Sequence, residues 1–433
     1  MRATHGGGVF ARKAFALPVF ILGLTAPSPA KAVTCDALPN AAQPDGGATP
    51  PLVYIEGANA VGPFIALLQQ ALSVDPSPIN LVYIGDGGCT GAANFFAGAP
   101  IGSKPKPIYY AGQVAGTCTL PTTGGPNGGP PTADIGASDV YAATCGTLPG
   151  GALPLGVADF LGPIQPMIFV VPTASTQLSI SATAAYFVFG FGSDSGVAPW
   201  TVNASIYRRN ATSAAQAMLA AGIGVPLVSW AGVDATALPV NVNAAISGAA
   251  AVINAMEVDP NPEQVIGILA DTNMDATTST HISTLAYKDI DQSCAYYPDS
   301  TLTAHDKVNV RDGHYALWGP LHFFVHVDTN DVPTDPNVER VVSLMTGTAV
   351  LAGVDLIQVD AQTNLVPPCA MNVTRSVELG PLASYAPTGA CECYFEYVAT
   401  GVSSCTPCLK ASDCPESAPV CNVSTPNSFC ETQ

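Results

Sequence analysis

The chain has 433 residues, enough for two domains, and 48% of them are apolar, so a sizeable core is expected. Only 11% are charged and the formal net charge is −18, which argues against nucleic-acid and anionic-membrane partners because both call for basic surface. Thirteen Cys in an exported chain imply disulfides, with one thiol left over from pairing.

Residues 1–32 read as a secretory signal. Arg2, Arg12 and Lys13 form a positive n-region, 14–25 is an apolar h-region, and Ala30-Lys31-Ala32 offers a cleavage site. Its removal takes away four positive charges and moves the formal charge from −18 to −22. No later stretch reaches the roughly 18 apolar residues that a membrane span needs. The expected location is therefore periplasmic or secreted to the cell surface, without membrane insertion after processing. Residues 33–50 read as a Pro/Gly/Ala-rich leader pinned by Cys35.

A buried strand is expected over 52–55, then a small-residue loop, then a helix from Pro63 to Leu72, since Pro suits a first helical position. The grammar recurs at 81–84 with Gly85-Asp86-Gly87-Gly88-Cys89-Thr90-Gly91 and a helix from Ala92. It recurs again at 204–209 with Asn210-Ala211-Thr212-Ser213 and a helix over 214–221. A Gly-rich turn feeding a helix leaves backbone donors unpaired at the positive end of a dipole, which suits an anion. Three such loops suggest one shared site; ordinary βα turns are the alternative.

Residues 122–131 read as a mobile, turn-rich surface loop, and Ala133-Asp134-Ile135-Gly136-Ala137-Ser138-Asp139 as a short buried strand ending in a polar loop. The Pro-bounded apolar run 163–172 fits a strand crossing between domains. A second α/β pattern fills 212–270, with a strand at 265–269; 282–287 reads as a return strand, 315–327 as a strand and 338–351 as a helix. From Pro368 the composition changes, with eight Cys in 62 residues, the last five of them in a Ser/Thr/Pro background too poor in apolar residues for a core. Such a segment needs covalent staples. Cys405-x-x-Cys408 has zinc-like spacing, but no His lies nearby and disulfides are expected.

Other constellations have plainer readings. His322, Phe324 and His326 share a strand face and read as hydrogen-bonded rather than metal-binding. Asp271, Asp275, Asp289, Asp291 and Asp299 lack calcium-loop spacing and read as a solvated acidic face. No G-x-S-x-G elbow occurs. No catalytic residue, metal ligand or cofactor is assigned, and the chain is not read as an enzyme.

Four stretches carry a family resemblance. Gly57-Ala58-Asn59-Ala60-Val61-Gly62-Pro63 resembles the first ligand loop of periplasmic phosphate-binding proteins of ABC transporters. Asp86-Gly87-Gly88-Cys89-Thr90-Gly91 stands where that family has a G-S-G-x-G loop. Asp134-Ile135-Gly136-Ala137-Ser138-Asp139 is similar to its D-I/F-G-A-S-D motif, and Arg208-Arg209-Asn210-Ala211-Thr212-Ser213 to its R-x-x-S-G-T loop. Order and spacing agree over about 50–360.

The resemblance implies an α/β, two-lobed type 2 periplasmic-binding fold with crossing hinge strands, plus a small disulfide-rich C-terminal segment. Lobe 1 would comprise 51–162 and 290–368, lobe 2 would comprise 163–289, and 369–433 would be the Cys-rich segment. The hinge would lie near 163–172 and 280–300. The implied activity is reversible binding of phosphate or a related small inorganic oxyanion, with an ABC transporter permease as partner. Ala58 and Asn59 would offer first-loop N–H groups, and Gly88, Cys89 and Thr90 second-loop donors. Asp134, Ser138 and Asp139 would line the site or support its loops. Arg208 or Arg209 would pair with the oxyanion through a fork matching two oxygens, and Thr212 and Ser213 would add hydroxyls. Asn59 or Ala60 stands where the family has a hydroxyl, Cys89 replaces a Ser, and Asp86 brings an acid into the second loop. These departures touch the ligand more than the fold. The alternative reading is a diverged scaffold acting in cell-surface or protein contacts through its Cys-rich tail.

Overall fold

A computed structural model of the protein describes residues 33–38, 49–101, 107–111, 114–125, 128–148, 152–238, 248–274, 278–423 and 425–432. The expected signal segment and most of the leader lie outside them, as does Asp275.

The first half opens with strand β1 (Leu52–Gly57), helix α1 (Gly62–Ser73), β2 (Asn80–Gly85) and α2 (Gly88–Phe96). A β3–β4 hairpin (Ile108–Ala111, Val114–Thr117) follows, then β5 (Ile135–Ser138) and the long β6 (Val157–Pro172). The sequence reading missed that hairpin, which extends the sheet edge beyond β2. The second half contains β7 (Ser179–Ser181), α3 (Ala182–Phe191), β8 (Ile206–Arg208), α4 (Ala214–Ile223), β9 (Val233–Asp234), α5 (Gly248–Val258) and β10 (Ile266–Ala270). It continues through β11 (Ile282–Thr284), β12 (Ala286–Lys288) and the short α6 (Val308–Arg311). The chain then returns in β13 (Trp318–His326), followed by α7 (Pro336–Met345) and α8 (Leu356–Gln362). Helix α7 is shorter than the expected 338–351. Asp335 caps its start and Gly347, at φ +70°, follows its end.

The two halves share one strand order. In the first it is β2-β1-β5-β13-β6 and in the second β9-β8-β10-β6-β11. The first three strands of each set are parallel, and the fourth and fifth alternate in direction. In each set the fourth strand is supplied by chain crossing between the halves. This is a two-lobed α/β fold with crossing strands, as the resemblance implies. Strand β6 is shared, pairing with β13 over Val157–Pro166 and with β10 and β11 over Met167–Pro172. At the change of partner, Ile164 exchanges backbone hydrogen bonds with Val366, and the Met167 N–H donates to Leu317 O at 2.8 Å.

The outgoing crossing falls where the Pro-bounded run predicts. The return does not lie at 280–300; it runs through Tyr315–Trp318. Strands β11 and β12, split at Leu285, stay in the second half, and Leu285 N–H donates to Phe169 O at 2.9 Å. An ion cluster explains the late return. Lys307 Nζ, fully buried, lies 2.9 Å from both Asp271 and Asp299, tying the excursion after β12 to the second half. Two of the five scattered acids thus serve this cluster instead of a solvated face.

Six disulfides take twelve Cys and leave Cys294 free and exposed. Cys35 pins the leader to Cys118. Cys405 and Cys408 are bonded to Cys393 and Cys421, so their zinc-like spacing is incidental. The C-terminal segment adds hairpin β14–β15 (Val373–Thr374, Ala383–Ser384), helix α9 (Glu392–Thr400) and hairpin β16–β17 (Val420–Asn422, Phe429–Glu431). Among the described residues no helix is long and apolar enough to cross a membrane.

Replacing Lys307 by Met leaves Asp271 and Asp299 buried without their cation. The expected loss is about 3–5 kcal/mol, because breaking a buried ion pair strands the remaining charge. Denaturant unfolding followed by Trp fluorescence checks this; a loss below about 1 kcal/mol, the level of an exposed pair, would deny the cluster its tethering role.

Candidate functional site

Three loops of the first half are drawn together by the ends of β1, β2 and β5. Gly57, at φ +148°, has to be glycine, since a Cβ there would fall 1.9 Å from Ala137 O. The loop before α2 then meets the loop after β5 and the loop before α4 at a single point. A Cβ on Gly88 would lie 2.6 Å from Asp139 Oδ1, 3.1 Å from Ser138 Oγ and 2.8 Å from the Ala214 Cβ. Ala214 belongs to the second half, so the two halves touch here.

Two helices start at this point. The N–H groups of Gly88, Cys89 and Thr90 in α2, and those of Ala214 and Ala215 in α4, have no acceptor among the described residues. Beside them Asp139 is 4% exposed. Its Oδ2 accepts from Gln165 Nε2 at 3.4 Å, and its Oδ1 has no partner among the described residues. Burial pushes the Asp139 carboxyl up to about 6, against the opposing pull of Arg209, His322 and Gln165. The Arg209 guanidinium is 7% exposed and packs on Gly248. Burial pulls it down, while Asp139 and Asp234 favour its charge. No hydrogen bond or ion pair reaches that guanidinium among the described residues.

The other expected site residues divide. Asn59 stays in the first loop, with Oδ1 2.7 Å from where a Gly85 Cβ would stand. Ala58 cannot donate to a ligand, because its N–H already donates to Ala137 O at 3.0 Å. The Cys89 sulfur is bonded to Cys145, leaving only its N–H. Asp134 is at the far end of β5, where Oδ2 accepts from Tyr54 N–H at 2.8 Å; it supports β1 and does not line the site. Ser138 Oγ donates to Val140 O at 2.8 Å and holds its own loop. Thr212 is exposed, and its hydroxyl donates to Asn210 Oδ1 at 2.9 Å. Ser213 caps α4 by accepting from Gln216 N–H. Arg208 turns back to Arg209 O, 3.1 Å from its Nη1. Asp86 is held by Asn94 Nδ2 at 3.4 Å.

Sequence reasoning read His322 as hydrogen-bonded, which it is, but missed its partner and its place in a polar layer behind Asp139. His322 Nδ1 lies 2.8 Å from Asp159 Oδ2, with the Tyr141 ring 4.3 Å away; His326 instead packs its ring on Phe95. It also missed a strap from the C-terminal segment. Glu378 Oε2 accepts from Tyr141 N–H at 3.1 Å and from Thr144 Oγ1 at 3.3 Å. Tyr141 Oη donates to Arg375 O. Arg375 lies 3.9 Å over the Trp318 ring and donates to Ala316 O, and Leu379 packs on Gly222 of the second half. The strap walls a cleft of about 650 Å³ lined also by Tyr141 and Thr144 of the first half and Ala217 and Leu227 of the second. The available signal was two charged residues, Arg375 and Glu378, close together between Cys369 and Cys391, a stretch otherwise without charge.

Glu378 is pushed up from 4.5 to about 7, chiefly by burial. The folded state therefore keeps this proton longer than the unfolded chain does. Its contribution is full below about pH 4.5 and declines by about 3 kcal/mol as pH rises to 7. Glu378→Gln is expected to flatten the fall in stability between those pH values; urea unfolding at a pH series reads the slope, and an unchanged slope would refute the assignment.

No family model matches the sequence, and no curated relative matches it. Solved structures with similar folds include one described as a phosphate ABC transporter substrate-binding protein with bound phosphate from Clostridium perfringens. It is 12% identical, with a TM-score of 0.46, and the match covers 73% of this chain and 99% of that one. An ABC-type phosphate transport receptor from Vibrio cholerae is 13% identical, with a TM-score of 0.44, over 73% and 100%. The reduced OxyR regulatory domain from Pseudomonas aeruginosa is 8% identical, with a TM-score of 0.36, over 68% and 95%. At these identities and scores the likeness says nothing of the ligand.

Proposed function

We propose that the protein reversibly binds phosphate or a related small oxyanion between its two halves, performing no chemistry. The observation that carries this reading is the buried guanidinium of Arg209, without a partner among the described residues. It sits near Asp139, where the α2 and α4 N-termini converge on Gly88. Arg209 would clamp two anion oxygens, and the first-turn N–H groups would take the others. Asp139 would share the proton of a partly protonated anion. The anion is stripped of water, and fixed dipoles replace its hydration. Because the halves touch at Gly88 and Ala214, entry requires them to part. The flexing points would be β6 and Tyr315–Trp318, with the strap sliding on Gly222. An exported receptor of this kind would hand its anion to an ABC transporter permease.

Titration calorimetry of the full chain, stripped by partial unfolding and refolding, tests the reading with phosphate, sulfate, arsenate and phosphonate. One-to-one binding of one of them is expected. Arg209→Ala should weaken it by about 100-fold or more, since a buried charge partner is lost. Arg208→Ala should change it by no more than about 3-fold, since the half-buried Arg208 turns its guanidinium back to Arg209 O and not to the anion. Absence of heat for all four in folded protein would sink the proposal.

A further inference from the structure

A second cavity, remote from Arg209, opens between the first half and the C-terminal segment. It measures about 860 Å³, within the range of small-molecule sites. Phe64, Met345 and Ile357 line it from the first half; Tyr385, Pro387 and Pro426 line it from the C-terminal segment, and the Cys369–Cys391 disulfide contributes to its wall.

Among the described residues, one buried polar group in that wall is uncommitted. Asp360, on α8, is 6% exposed, and its Oδ1 has no partner among the described residues. The neighbouring acid is fully engaged: Asp355 accepts from Ile357 N–H, Gln358 N–H and Tyr394 Oη. Thr346, Thr348 and Thr425 spend their hydroxyls on backbone carbonyls. Among the described residues lining the cavity there is no Lys, Arg or His to pair with Asp360. Burial, reinforced by Asp355, holds its carboxyl well above the usual range, which favours the protonated form and its O–H donor.

We infer that this cavity is a second ligand site, taking a neutral, mainly apolar small molecule that carries one carbonyl-type acceptor for Asp360. An anion would face two acids and no cation. An ammonium would first have to ionise a buried carboxyl, at a cost the pair hardly recovers. A ketone, ester or amide oxygen accepts the O–H while its apolar body covers the wall. The inference is independent of the oxyanion reading, since the two sites share no residue.

Acetophenone, benzylamine and benzoate, similar in shape and different in head group, test it by ligand-detected NMR titration of the full chain. Acetophenone is expected to bind at about 1 mM, the scale for so small a ligand, and at least about 10-fold more tightly than the other two, one charge-mismatch step. Asp360→Leu should weaken it by roughly 10-fold through the lost hydrogen bond, while Asp360→Asn keeps a donor and most of the affinity. Should Asp360→Leu not fold, Val350→Trp at the rim, where Val350 is 93% exposed, should obstruct entry without touching the core. Arg209→Ala should leave acetophenone unaffected. No acetophenone binding, a preference for benzylamine or benzoate, or insensitivity to both Val350→Trp and an Asp360→Leu protein that folds would overturn it.

Discussion

Strand β6 has to satisfy two sheets. Over Val157–Pro166 it completes the first half, and over Met167–Pro172 it lies inside the second, between β10 and β11. Its second part is buried throughout, so the strand reads as a near-continuous apolar run. Pro163, Pro166 and Pro172 can donate nothing to a ladder, and two of them flank the change of partner. Since one strand belongs to both sheets, the two halves cannot separate. They can only tilt about it, and the loops at their facing ends meet in a fixed pairing.

That pairing shows how an acidic chain would hold the proposed anion. Across a Debye length of about 8 Å the global field is screened. Inside the contact around Gly88 the relevant charges are few: one guanidinium, one carboxyl held near 6 by burial, and two helix N-termini. A carboxyl that is protonated over part of the physiological range repels an anion less than its formal charge suggests. Local dipoles then outweigh the net charge of the surface.

The βα units were legible because their signals are local: apolar runs, Gly-rich loops and a Pro at the start of α1. The convergence of the second and fourth loops was suggested by their shared strand–loop–helix grammar, and that of the third was legible only through family resemblance. What neither supplied was direction along a strand. Asp134 and Asp139 stand at opposite ends of β5, so only one can reach the cleft, and register decides which. Arg208 closes β8 in register with Asp234, and alternation then sends Arg209 the other way. The return crossing was misplaced because the tether holding 289–311 to the second half is a contact between Lys307 and Asp271, far apart in sequence.

The C-terminal segment shows why composition alone misleads about position. Its last five Cys do staple a region with a very small core, as its poverty in apolar residues requires. Yet the stretch between Cys369 and Cys391 closes a loop long enough to reach across the body. Its disulfide fixes both ends, and chain entropy saved in the unfolded state makes an extended strap affordable. Arg375 then stacks on Trp318 at the return crossing, while Glu378 caps the loop that begins at Tyr141. One face of the segment thus bears on the hinge, and another walls the cavity at Asp360. A tail stapled this firmly beside the return crossing would bear on any tilt of the two halves that the proposed binding requires, a place that a free appendage would not have.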